Sequence, residues 1–302
     1  MDGYAARLAS EVVADVVAAL LLGSVALLVS QLIRRRRIRT FFGITPGRET
    51  IKLFLSCIDV KPSGAIGTEK VTGGSQGTAI NHLEYRYALD FAAAVESRPL
   101  VRVLHSIDPS DWRTAQPVNC RIEVGPSCTS YLNRGSEVML DEVRQVVHGS
   151  ECVVLVGGAI YNVVTKCILE ADAQVQFIRD DSRGSLPRRG IKVTTGTSNP
   201  HEFYREDPVA DAALGLKEGR EYFIIRRFVW EQVTVFMCAG TCTAGTVAAL
   251  RMLTSWRTLQ RDLGSTPFLR VYEMPLETVT ARETDPPPQQ KIQRVLAEPP
   301  ST

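Results

Sequence analysis

The first long pattern in the chain is a run without polar alternation. From Val16 to Ile33 it reads VVAALLLGSVALLVSQLI, eighteen residues without a charge, about the minimum that spans a hydrocarbon layer as a helix. Glu11 and Asp15 precede it, and Arg34, Arg35, Arg36, Arg37 and Arg39 follow it. A cleaved signal peptide has its basic segment before the apolar core and a small-residue cleavage site after it. The pattern therefore predicts a transmembrane helix over 12–33, with a short extracytoplasmic N-terminus at 1–11. Positive charge beside a span is retained on the cytoplasmic side, which places the bulk of the chain in the cytoplasm. Residues 34–50 are then a basic juxtamembrane segment, and Arg34 to Arg39 can touch anionic lipid headgroups.

Beyond the arginines, short apolar runs alternate with amphipathic stretches. IKLFLSCI (51–58) predicts a strand, GAIGTEKVTGGSQG (64–77) a glycine-rich loop, and the three-to-four-residue recurrence from Ile80 to Val95 a helix over 79–97. LVRVLHSI (100–107) and CRIEVGP (120–126) predict strands, SEVMLDEVRQVVHG (136–149) an amphipathic helix, and CVVLVGG (152–158) the most buried strand of the chain. AIYNVVTKCILEA (159–171) follows as a helix and VQFIR (175–179) as another strand. Later, IKVTTG, YFIIRRFVW and QVTVFMCAG are strands, with only a few residues around Trp230 to Gln232 joining the last two, so a hairpin is predicted there. A helix over TVAALRMLTSWRTLQRDLG (246–264) and a closing strand FLRVYEM complete the rhythm. The expected fold is α/β: a Rossmann-like, mixed, mostly parallel sheet over 51–282, with an antiparallel edge and helices on both faces, preceded by one transmembrane helix. The proline-rich tail, 283–302, is expected to be disordered.

Charge and cysteine usage narrow the classes. The net charge is +2, and the arginine run alone supplies five positive charges, so the rest of the chain sums to 2 − 5 = −3. That balance argues against a nucleic-acid-binding body, which needs a basic face across its folded surface. Seven cysteines, an odd number scattered mostly in apolar runs, read as free thiols of a reducing compartment. Cys238 and Cys242 are spaced like one half of a metal site, but no matching Cys or His pair follows, so no metal is expected. No serine elbow or zinc-protease motif is present.

Three places carry candidate chemistry. AGTCTAGTVAAL, from Ala239 to Leu250, follows a strand and opens a helix. Its Gly240, Gly245 and Thr246 have the spacing of a phosphate loop but lack the lysine, so a backbone-amide anion site without triphosphate hydrolysis is one reading, and a capped turn with Thr243 or Thr246 as the cap is the other. VGGAIYN places Gly157 and Gly158 at a second strand end, with Asn162 as a ligand contact or a helix cap. LSCID puts Ser56 at the end of the first strand, with Glu84 on the next helix as the acidic residue to test first. This last arrangement resembles the Rossmann-like superfamily that includes nucleoside deoxyribosyltransferases and Toll/interleukin-receptor-type domains. The resemblance covers the strand order of roughly the first half of the domain, without a residue-by-residue motif, and implies that Glu84 acts at the ribose of an N-glycosidic bond. VVLVGGAIYN is also similar, over some ten residues, to a segment of archaeal surface-layer-type domains.

The expectation is a single-pass membrane protein with a cytoplasmic domain that binds a nucleotide or related phosphorylated small molecule in a sensing or regulatory role. Its rivals are an enzyme acting at an N-glycosidic bond through Glu84 and a membrane-anchored scaffold that binds protein. A homo-oligomer aligned by the anchor fits any of the three. The pattern names no cofactor.

Overall fold

The computed structural model describes residues 2–45, 50–60, 77–96, 118–124, 136–159, 162–172, 174–181, 188–194, 200–207, 219–276 and 292–298. The strand expected over 100–107 and most of the glycine-rich stretch 64–77 lie outside them.

One helix, α1 (Asp2–Phe42), runs unbroken from the N-terminal region through the arginines. Among the described residues it is the helix long and apolar enough to cross a membrane, a test that a signal sequence also meets. Its last turns differ from the juxtamembrane segment expected over 34–50. Ile38, Phe41 and Phe42 are fully buried in the main core, and Arg35 is buried beside them. The composition of this stretch is basic, but at helical spacing its apolar residues fall on one side and face the domain. Gly43, at φ 66, ends α1 in the left-handed conformation, and Ile44 N donates to Arg39 O at 2.9 Å, the six-to-one bond of a Schellman stop. Arg227 Nε donates to the Phe41 carbonyl at 3.0 Å.

The domain is built on a seven-stranded sheet. Its members are β1 (Thr50–Leu55), β4 (Asn119–Val124), β5 (Cys152–Val156), β9 (Gly219–Trp230), β10 (Val233–Gly240), β11 (Phe268–Leu276) and β12 (Gln293–Glu298), in the order β12-β11-β9-β10-β5-β1-β4. β10, β5, β1 and β4 are mutually parallel, β9 pairs antiparallel with β10, and β11 and β12 continue antiparallel. Five of the seven strands therefore run one way. The β9–β10 hairpin turns at Glu231 and Gln232, both with positive φ, as a two-residue turn matched to sheet twist requires.

Side chains alternate between two cores. Leu53, Leu55, Val154, Val156 and Phe236 join α1, α2 (His82–Val95), α5 (Thr243–Thr254) and α6 (Trp256–Leu263) on one face. Phe54, Val153, Leu155, Val235 and Met237 join α3 (Ser136–His148) and α4 (Val163–Glu170) on the other. Burial on both faces is why β5 reads CVVLV with every position buried.

Four details depart from the sequence expectations. IKLFLSCI breaks at Ser56 into β1 and β2 (Cys57–Val60), and β2 forms a hairpin with β3 (Gly77–Ile80), so α2 starts at His82 rather than at 79. VQFIR and IKVTTG do not join the main sheet. As β6 (Val175–Asp180) and β7 (Arg188–Val193) they make a separate antiparallel sheet with β8 (His201–Tyr204). The long helix over 246–264 is two helices that meet at Ser255. Part of the tail expected to be disordered is β12, which offers its backbone to the open edge of β11 and sets Leu296 against the core.

Candidate functional site

The order β10-β5-β1-β4 contains a reversal. From β1 the chain passes through α2 on one face to β4 on one side. From β4 it passes through α3 on the other face to β5 on the opposite side of β1. The segments leaving the carboxyl ends of β1 and β5 therefore diverge, and in open α/β sheets the crevice that results is where ligands bind.

Ser56, Gly157 and Glu84 meet at this point. Ser56, the residue after β1, donates its hydroxyl to Val156 O at 3.0 Å and is buried. Gly157, the residue after β5, has φ +98, and a side chain there would collide with Ser56 Oγ and come within 3.9 Å of Glu84 Oε1. Glycine is thus required twice, by conformation and by space. Glu84 reaches the crevice from the first turn of α2. That turn is fixed by Asn81, whose Oδ1 accepts from Leu83 N at 3.0 Å and Glu84 N at 3.4 Å.

The Glu84 carboxyl is 5% exposed, and its Oε2 has no hydrogen-bond partner among the described residues. Burial pushes its pKa up from the usual carboxylate range to about 7, and a hydrogen bond with Ser56 pulls the other way. Ser56 has one proton and two acceptors, Val156 O and Glu84. A protonated Glu84 can donate to Ser56 while Ser56 donates to Val156 O, which satisfies every member of the chain; an ionised Glu84 competes with the carbonyl for the same proton. The site therefore holds a buried carboxyl whose pKa is raised toward neutrality and whose Oε2 is unpaired among the described residues.

Asn162 and Gly158 are structural here. Asn162 caps α4 through Thr165 N at 3.1 Å, and its Nδ2 donates to Phe54 O and Val156 O, both at 2.9 Å, tying the ends of β1 and β5 together. All its polar groups are occupied. A methyl group on Gly158 would press on the Phe177 ring at 2.9 Å.

The glycine corner at Gly240, Gly245 and Thr246 lies at the end of the next strand. A methyl group on Gly240 would sit 2.5 Å from the Gly245 and Thr246 backbone, so this loop is a close-packed turn. Thr246 Oγ1 accepts from Gly240 N at 3.1 Å. The amide that opens α5 already has an acceptor: Cys242 N donates to the Glu221 carboxyl Oε1 at 2.6 Å, and a methyl group on Gly245 would strike that same oxygen. Glu221 is completely buried. Its burial raises the carboxyl pKa, opposed by Arg205, whose Nε lies 3.6 Å from Oε2. The place where a phosphate would rest on the helix amino terminus is filled by the protein's own carboxyl. Burial lifts the neighbouring Cys242 thiol to about 12, which removes it as a nucleophile at neutral pH. The two corners are joined by Asn81 Nδ2, which donates to Thr243 Oγ1 at 3.3 Å.

Sequence reasoning missed Asn81 and Glu221. Asn81-His82-Leu83-Glu84 has the spacing of a capping box, a signal that was available. The Glu84 of this box turns toward Ser56 and Gly157. For Glu221 the one clue is a charge inside an apolar strand. No group of three or more His, Cys, Asp or Glu side chains able to hold a metal occurs among the described residues.

Comparison with protein-family models, with curated proteins and with solved structures finds no significant match.

Proposed function

We propose that this chain is a single-pass membrane protein whose α/β domain lies in the cytoplasm and binds a nucleotide or related phosphorylated small molecule at the β1/β5 crevice, as a sensor or regulatory component. The observation that carries the reading is Glu84, a buried carboxyl with an open oxygen, held against Ser56 and Gly157 at the point where strand order reverses. Such an oxygen accepts a hydroxyl of a sugar ring. Because Glu221 occupies the α5 amides, the crevice recognises the sugar end of the ligand and not a phosphate seated on Gly240 and Gly245. The anchor reading is supported by α1 itself, which continues without a break from its exposed apolar stretch into the core, with arginines where the stretch ends.

A second reading is favoured by the same oxygen. A carboxyl that ionises near pH 7 beside a sugar can attack or stabilise the ribosyl cation formed when an N-glycosidic bond breaks. A thermal-shift screen of the full chain in detergent against nucleosides, nucleotides and NAD, with chromatography for released base, separates the two. Binding without product supports the sensor, and product lost in Glu84→Gln supports the enzyme. A flat screen on folded protein refutes both and leaves the scaffold, since a ligand that binds the native state must raise the melting temperature. Gly157→Ala, whose methyl group displaces Ser56, should abolish any shift seen.

A further inference from the structure

The end of α1 fixes how the domain lies against a bilayer. Trp256, at the start of α6, sits beside Phe41 and Phe42, with ring centroids 6.4 Å from each, and Gln260, one turn on, donates from Nε2 to Arg37 O at 3.0 Å. Four residues along α6 match about four residues back along α1, so the two helices run side by side in opposite directions. The last turn of α6 and the Gly264–Thr266 bend after it therefore point toward the end of the apolar stretch at Ile33. At a rise of 1.5 Å per residue, Arg37 lies about 6 Å beyond Ile33. The polar layer of one leaflet is about 5–7 Å thick. Arg261 is at or inside that depth.

Resting on the reading of α1 as a membrane span, the geometry points to a bilayer-facing platform in which Arg261 and Arg257 of α6 join Arg36 and Arg37 of α1 to bind the phosphates of anionic lipid. All four arginines are exposed, whereas Arg35 of the same run is buried in the domain. Trp256 and Leu259 hold the opposite side of α6 in the core, and the Arg257 guanidinium lies over the Trp256 ring at 5.6 Å from its centroid. The carboxyl ends of α6 and α2 both approach the bilayer. A helix carboxyl end carries partial negative charge, which anionic lipid would repel without basic residues there. Arg261 stands in the last turn of α6, and Arg34 Nη2 donates to Ala94 O, in the last turn of α2, at 2.7 Å. Asp262, 3.1 Å from Arg261 Nε, offsets one charge, so the platform carries a net charge of 4 − 1 = +3.

The test uses the full chain in nanodiscs, with a photo-crosslinking residue in place of the exposed Thr266 and lipid adducts read by mass. Discs of phosphatidylcholine alone are compared with discs that also contain phosphatidylglycerol. Adduct yield should rise in the anionic discs and fall with added salt. The rise should shrink about fivefold in Arg261→Gln, and less in Arg257→Gln, which lies one turn farther from the bilayer. Asp262→Asn should enlarge it, an outcome that misfolding cannot imitate. Equal adduct yields in the two discs, or a rise untouched by Arg261→Gln and Asp262→Asn, overturn the platform while alkaline extraction still shows an integral protein. Release of the protein by alkaline extraction overturns the span and the platform together.

Discussion

Replacing Glu84 by glutamine should stabilise the protein by an amount that grows as pH rises from about 4.5 to 7 and then levels off. In the folded chain burial raises the carboxyl pKa from 4.5 to about 7, while in the unfolded chain the group ionises at its ordinary value. Between those values the folded state holds a proton that the unfolded state has released. The contribution of this group to stability is therefore complete below about pH 4.5 and is lost as pH rises through 7. The gap of roughly 2.5 pH units corresponds to about 3 kcal/mol, fully developed by pH 8. Glutamine never ionises, and its amide can donate to Ser56 as the protonated acid does. Urea unfolding in detergent should show the variant within about 1 kcal/mol of wild type at pH 5 and about 3 kcal/mol more stable at pH 8. For a domain of this size that is a rise in Tm of about 6–12 °C. A stability difference that is the same at both pH values, or a variant less stable at pH 8, would refute the account of Glu84 as a carboxyl held uncharged by burial. A group that destabilises its own fold at working pH is what a ligand site retains and a purely structural position discards.

Three further outcomes test the frame around the site. Phe42→Ala should cost about 3–5 kcal/mol, a large part of the 5–15 kcal/mol typical of a domain, because Phe42 packs on Phe91 and Phe236 in the main core; by the same reasoning a fragment starting at Thr45 should fail to unfold cooperatively, while one starting at Arg34 does so. Glu221→Ala should cost about 1–3 kcal/mol by orphaning the Cys242 amide, and millimolar acetate should restore part of that loss; no loss, or a loss that acetate leaves untouched, would show that the carboxyl is not what caps the α5 terminus.

The alternation of strands and helices was legible wherever burial alone decides the residue types. CVVLV could only be an inner strand, and the turn at Glu231 and Gln232 follows from two apolar runs set too close for any other connection. Ser56 and Gly157 were also legible, one by one, as residues at strand ends, and Glu84 as an acidic residue on the next helix. Their meeting was not, because it depends on β5 crossing to the far side of β1, a topological choice that local pattern does not encode. The arginine run shows the same limit. Its composition reads as a solvated linker, yet Ile38, Phe41 and Phe42 share one helical face and turn that face, with Arg35, into the core. β12 was misread for another reason: it is a short strand with few buried side chains, held by backbone pairing to a neighbour that the sequence around it does not name. The phosphate-loop spacing of Gly240 and Gly245 had two meanings on paper, and a glutamate some twenty residues earlier in the chain selects between them.

The placement of α1 gives the crevice a direction. Gly43 lies against Thr234 at the start of β10, and Thr45 donates from both its amide and its hydroxyl to Glu151, the residue before β5. The helix thus docks at the amino ends of the parallel strands, whereas Ser56 and Gly157 stand at their carboxyl ends. β5 alone separates the two by about 15 Å at the usual rise per residue. On the reading of α1 as a span, the crevice opens away from the bilayer, and its ligand arrives from water and not from the lipid phase. One element covers the whole distance. α2 carries Glu84 in its first turn and, about 15 Å along its axis, is gripped in its last turn by Arg34, with Phe91 against Phe42 between them. On the proposed reading, a ligand that changes the charge or position of Glu84 would act on a rigid helix whose other end is held by α1, which is the connection a membrane-bound sensor needs and a passive tether lacks.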